Sequence, residues 1–144
     1  MSIVGVGCDI VDISRFDGWK RFSQERLCSI FSPQELIDCT GTDNIMISEK
    51  LAVRFAAKEA AYKAVSQLLV SLEFTQKTFS FRAFCKLVSV SYTTWDIPKL
   101  SIDFCALEHM INQKLPPITC HLSFSHEKTM AMAVVIIETV SQNS

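Results

Sequence analysis

Glycine is scarce and unevenly placed in this chain of 144 residues: all four, Gly5, Gly7, Gly18 and Gly41, precede residue 42. Neither a G-x-x-x-x-G-K phosphate loop nor a G-x-G-x-x-G dinucleotide fingerprint can be drawn, so any phosphate site must be built from side chains. Six cysteines occur at irregular gaps with no C-x-x-C. That spacing suits neither zinc nor a disulfide framework and reads as reduced core residues of a cytosolic protein. A net charge of -1 argues against a nucleic-acid binder that relies on a global positive field. Long apolar runs are missing as well. The longest late stretch, Met130 to Ile137, is too short for the roughly 20 residues a membrane helix needs, and the N-terminus lacks the basic start and apolar core of a secretory signal. The expectation is a cytoplasmic protein with no membrane or nucleic-acid partner. A hydrophobic fraction of 49% and a charged fraction of 20% fit one domain spanning 1-144.

Period-two patterning opens the chain. From Ile3 to Ile13, Val4, Val6, Cys8 and Ile10 alternate with Ile3, Gly5, Gly7 and Asp9, predicting a strand whose glycines admit a second backbone. Ser14 to Leu27 carries Phe16, Trp19 and Phe22 as a helical stripe, with Arg15, Lys20, Arg21 and Arg26 outnumbering Asp17 and Glu25. Ser32-Pro33-Gln34-Glu35 has the form of a capping box for a short helix to about Cys39. Ser48 is the expected cap of a long helix reaching about Leu69. Lys77 to Phe84, Leu87 to Tyr92 and Lys99 to Ile102 read as strands, and Asp103 as the cap of a helix over 104–115 that Pro116-Pro117 stops. Ile118 to His126 alternates. Met130 to Ile137 is apolar on both faces, which predicts burial on both. The polar tail, 139-144, is expected to fray. Together these elements predict an α+β domain with an antiparallel or mixed sheet packed on one long central helix.

Within that helix the run Arg54-Phe55-Ala56-Ala57-Lys58-Glu59-Ala60-Ala61-Tyr62-Lys63 sets Arg54 with Lys58, and Glu59 with Lys63, four residues apart. Residues so spaced share a face, and Glu59 before Lys63 is the favourable order for a solvated ion pair worth roughly 0.3 to 0.5 kcal/mol. A site role is the competing reading. Asp9, beside two side-chain-free positions, is open to the same pair of readings: metal ligand, or edge residue of a strand.

Taken together and in order, Gly7-Cys8-Asp9-Ile10-Val11-Asp12-Ile13-Ser14-Arg15, the Arg54 to Lys63 helix and His121-Leu122-Ser123-Phe124-Ser125-His126 resemble the three signature segments of the holo-acyl-carrier-protein synthases, a family of 4'-phosphopantetheinyl transferases. The resemblance implies the fold of that family and transfer of 4'-phosphopantetheine from coenzyme A to a serine of an apo acyl carrier protein, in support of fatty acid biosynthesis. It implies that Asp9 and Glu59 hold Mg2+, that Lys63 and His121 contact the coenzyme A phosphates, that Arg54 contacts substrate, and that Arg15 helps dock the acidic carrier protein. A homotrimer with sites between subunits is implied as well. His121 shares a strand face with Ser123 and Ser125, not with His126, so the two histidines cannot serve one site without a bend. The general base is left open, with a water oriented by Glu59 or Glu35 as the candidate. One departure stands out. Where the family has a glycine loop after the helix, this chain reads Ala64-Val65-Ser66-Gln67-Leu68-Leu69-Val70, which keeps a binding homologue with weakened catalysis as the alternative.

Overall fold

The computed structural model of the chain describes residues 1–140. Its strands are β1 (Ser2–Asp12), β2 (Val88–Tyr92), β3 (Pro98–Ile102), β4 (Ile118–His126) and β5 (Met130–Thr139). Its α-helices are α1 (Gln24–Cys28), α2 (Pro33–Asp38), α3 (Ser48–Ser71), α4 (Phe81–Cys85) and α5 (Phe104–Ile111). β1, β5 and β4 form one sheet in that order, and β2 with β3 a hairpin. Every ladder is antiparallel, which removes the mixed-sheet option.

Helix α3 runs for 24 residues because no glycine or proline interrupts it and alanine recurs along its length. It is buried nearly all round, as expected of a helix apolar on every side. Its contact with β1 is unusually close. A Cβ at Gly7 would overlap the Ala60 carbonyl oxygen, and one at Gly5 the Ala64 carbonyl oxygen. Neither glycine has a positive φ, so bulk and not backbone freedom requires them.

Several elements differ from the sequence reading. Ser14 to Leu27 is broken into two 3-10 turns, Ile13–Phe16 and Gly18–Arg21, followed by α1. Capping interrupts it: Asp12 accepts from the Ser14 N–H and Ser23 from the Arg26 N–H. The ring stripe still packs inward, with Trp19 against Phe16, Phe31 and Phe55. Ser48 is the first residue of α3, not its cap, and its hydroxyl donates to Asp17. The expected strand over 77–84 contains α4 instead, started by the Ser80 cap on the Ala83 N–H. Asp103 does cap α5, but the helix stops early where Asn112 turns left-handed. Thr139, assigned to the tail, pairs with Ser2 and Ile118, while residues 141–144 of that tail lie outside the described residues.

β5 buries only one face, through Ala131, Ala133, Val135 and Ile137; Met132 on the other face is 47% exposed. Of the six cysteines, Cys39 and Cys85 are buried and Cys8, Cys28 and Cys105 are exposed, so the core reading holds for a minority. Burial pushes the Cys39 thiol up to about 11 and Cys85 to about 12.

Gly7→Ala is expected to destabilise the fold by about 2 kcal/mol or more, since the clash is with helix backbone that cannot turn aside. Gly18→Ala, where the added carbon meets nothing nearer than 4.0 Å, should stay within about 0.5 kcal/mol of the parent in denaturant unfolding.

Candidate metal and phosphate site

β1 is an edge strand, and the free edge is covered by a line of polar side chains from α3. Gln67 Oε1 accepts the Val6 N–H at 2.9 Å, and Lys63 Nζ donates to the Cys8 carbonyl at 2.8 Å. Glu59, Lys63 and Gln67 follow at four-residue steps, so one flank of the helix supplies all three. The glycine contact explains why they reach. With the two backbones this close, the ends of polar side chains on the helix flank lie at the strand's edge.

Lys63 Nζ also pairs with Asp9 Oδ1 at 2.8 Å. The expected ion pair within the helix, Glu59 with Lys63, is therefore replaced by one from helix to strand. Asp9 Oδ2 is buried and has no hydrogen-bond partner. An unpartnered buried carboxylate oxygen is costly, and a cation satisfies it. Burial raises the Glu59 carboxyl above the usual range; the charge of Asp9 adds to the rise, and Lys63 and Arg15 oppose it. The hydrogen bond to Asp9 raises the Lys63 ammonium in turn. Two carboxylates that repel each other beside an oxygen without a partner form a set of hard oxygen donors. Mg2+ is usually held by one or two such carboxylates together with substrate phosphates, so the residues fit that ion. No group of three or more His, Cys, Asp or Glu side chains arranged to hold a metal is found among the described residues.

Farther along α3, on the adjoining face that carries Tyr62 and Ser66, a cavity of about 340 Å³ is lined by Tyr62, Ser66, Leu69, Phe74, Lys77 and Phe79. Lys77 Nζ stands 5.5 Å from the Tyr62 ring centroid. The stretch 64–70, a glycine loop in the family pattern, is here continuous α3, with Gln67 bound to β1. A larger cavity of about 790 Å³ at the start of α3 is lined by none of the candidate site residues.

The remaining sequence candidates are distributed differently. Arg15 is exposed, with its guanidinium 4.8 Å from the Phe55 ring centroid, and its charge reaches Glu59. Arg54 is 1% exposed, near Asp38 at 3.7 Å and 5.4 Å from the Tyr92 ring centroid. Within one chain it is thus an interior residue. His121 lies on the sheet face away from α3, 2.9 Å from Glu138, so one chain does not bring it to Asp9. Glu35 is buried and fully engaged, accepting from the Ser32 and Val90 N–H groups and pairing with Lys58 at 2.8 Å. That removes it as a base. The Lys58–Glu35 pair was not anticipated. Its signal was present, however: two cations four apart, Arg54 and Lys58, in an alanine-rich buried run each need an acid from elsewhere.

The strand and helix that meet at the glycine contact and share charged side chains at the seam belong to an α+β domain, and solved structures with this architecture are acyl carrier protein synthases. The solved acyl carrier protein synthase of Mycobacterium tuberculosis superposes with a TM-score of 0.65 and 29% identity, covering 96% of this chain and 100% of that one. The holo-(acyl-carrier-protein) synthase of Helicobacter pylori, solved in complex with coenzyme A, gives 0.66 and 27% over 92% and 99%. The holo-(acyl-carrier-protein) synthase of Treponema denticola is 34% identical over 136 residues, 94% of this chain and 98% of that protein. Residues 5–115 match the 4'-phosphopantetheinyl transferase superfamily, and the chain belongs to it.

Glu59→Gln is expected to raise the thermal midpoint at neutral pH, because the native state disfavours this carboxylate. A carboxyl raised on folding costs stability above its native pKa and nothing once it is protonated in both states. The gain should therefore shrink as pH falls and vanish by about pH 4. Parallel melting curves of the two proteins across pH check this.

Proposed function

We propose that the protein transfers the 4'-phosphopantetheine group of coenzyme A to a serine hydroxyl of an apo acyl carrier protein, releasing adenosine 3',5'-bisphosphate. The observation that carries this reading is the unpartnered Asp9 Oδ2 beside Glu59, with Lys63 bonded to the same carboxylate. In the reaction the serine oxygen forms a new bond to the phosphorus bearing pantetheine. The bond from that phosphorus to the bridging oxygen breaks, and the bisphosphate leaves with the electron pair. The serine proton passes to a base, and Glu35 is not that base, because both its oxygens are occupied in the interior.

Phosphoryl transfer asks a protein mainly to position groups and stabilise charge. Asp9 and Glu59 would hold Mg2+, which when bound neutralises charge on the diphosphate. Lys63, a compact mobile cation, would exchange Asp9 for a phosphate. The aromatic cavity with Lys77 suits the phosphorylated nucleoside end of coenzyme A in place of the glycine loop. Exposed Arg15 suits an acidic carrier protein. A cytoplasmic location, and supply of carrier protein to fatty acid biosynthesis, follow from the same reading. No described helix is long and apolar enough to cross a membrane.

A homotrimer completes the proposal. The outer face of the β1-β5-β4 sheet exposes Val6, Ile10 and Met132, and His121 shares that face. Packed on copies of itself, that face would bury the apolar row and lend His121 to a neighbour's phosphates.

Incubated with coenzyme A, Mg2+ and an apo carrier protein, the chain is expected to add the mass of one phosphopantetheine arm to the carrier. Asp9→Ala and Glu59→Ala should each slow this about 100-fold or more. Bound coenzyme A or carrier without any mass gain would instead establish the non-catalytic homologue. In the same assay Met132→Glu should give a monomer by light scattering and lose activity.

A further inference from the structure

Lys58 and Glu35 take no part in the proposed chemistry, yet they are 0% and 1% exposed and 2.8 Å apart. Lys58 Nζ also donates to the Val88 carbonyl at 2.6 Å, with a longer contact to the Cys85 carbonyl at 3.4 Å. Glu35 receives the Val90 N–H at 2.8 Å on one oxygen and the Ser32 N–H at 2.7 Å on the other. One side chain of α3 is thereby tied to α2, to the end of α4 and to β2. Stability alone gives little reason for such a pair, because well-packed apolar replacements of buried ion pairs are often neutral or stabilising.

Its place on the helix suggests what it does. Residues advance about 100° each round an α-helix, so Lys58 lies nearly opposite the Ala60 and Ala64 surface that meets the β1 glycines. Glu59 lies between these two contacts. The alanine–glycine contact has no directional bonds of its own; Gln67 and Lys63 bond the helix to β1 on the site side, and the Lys58 bonds fix the opposite side to α2 and β2. The Lys58 ammonium bonds to Glu35 and to the Val88 and Cys85 carbonyls and not to Glu59 or Asp9, so its link to the site is one of position.

We infer that the buried Lys58–Glu35 pair is a positioning device that sets the rotation of α3, holding the Glu59 carboxylate where it can share a cation with Asp9. This rests on the metal-site reading above, and binding without turnover tests it separately. Mn2+ affinity, followed by the paramagnetic signal of the free ion, is compared in the parent and in the double variant Lys58→Met with Glu35→Gln, which removes both charges but keeps an acceptor for Val90. The dissociation constant is expected to rise roughly tenfold, as for supporting residues around metal ligands, and kcat to fall with the KM for carrier protein unchanged. Leu107→Ala, a core change in α5 chosen as a stability control, should leave Mn2+ affinity within about twofold of the parent. If the double variant does not fold, Glu35→Asp, which keeps the charge and shortens its reach, supplies the comparison and should weaken Mn2+ severalfold. A folded variant with parental Mn2+ affinity and kcat would overturn the inference. Parental protein that binds Mn2+ but transfers nothing would defeat the transferase reading and leave the positioning claim to the Mn2+ comparison.

Discussion

The close approach of α3 to β1 at Gly5 and Gly7 is the constraint from which the rest of the molecule follows. Because a single Cβ at either position would occupy the space of a helix carbonyl, strand and helix meet backbone to backbone. The helix must then present alanine on that side, which Ala60 and Ala64 supply. Its flanking residues are brought to the strand's free edge, where the Gln67 and Lys63 side chains bond to main chain. A long helix buried on nearly every side can thus carry a charged seam without exposing its core.

Charge is divided between two settings along this helix. The Lys58–Glu35 pair is dry, and each partner is satisfied by backbone groups from separate elements. The Asp9, Glu59 and Lys63 group is partly open to solvent and incompletely satisfied, with one orphan oxygen and one carboxyl raised by burial and by a like charge. A stable interior completes its hydrogen bonds, whereas a binding site leaves some of them for its ligand. In the unliganded chain, Lys63 partly neutralises Asp9. In the proposed reading it gives way when cation and diphosphate arrive together.

Much of this was legible in the sequence where one local rule dominates. Alternation located β1 and β4, a continuous apolar run located β5, the capping box located α2, and unbroken helix formers located α3. The candidate set Asp9, Glu59 and Lys63 was legible from two of the three spaced segments that resemble one family. What sequence could not show was decided by tertiary contact. Nothing local says that Lys63 turns to Asp9 and not back to Glu59, or that Arg54 and Lys58 are interior while Arg15 is exposed. The 3-10 turns before α1 replaced a continuous helix because Asp12 and Ser23 cap locally and compete with its propagation. β5 looked two-sided by composition, yet within one chain its outer face has no cover, and copies of the chain are the proposed cover. His121 illustrates the same gap: its strand was clear, but it occupies the face turned away from its own seam, and a neighbouring copy is the proposed user of that face.

The most direct measurement is a crystal structure of the protein with coenzyme A and Mg2+. It is predicted to show the ion held by Asp9 and Glu59 and the Lys63 ammonium moved from Asp9 to a phosphate of the ligand. An ion bound elsewhere, or a diphosphate lying away from an intact Lys63–Asp9 pair, would contradict the central claim that this helix–strand seam is where the phosphates are handled.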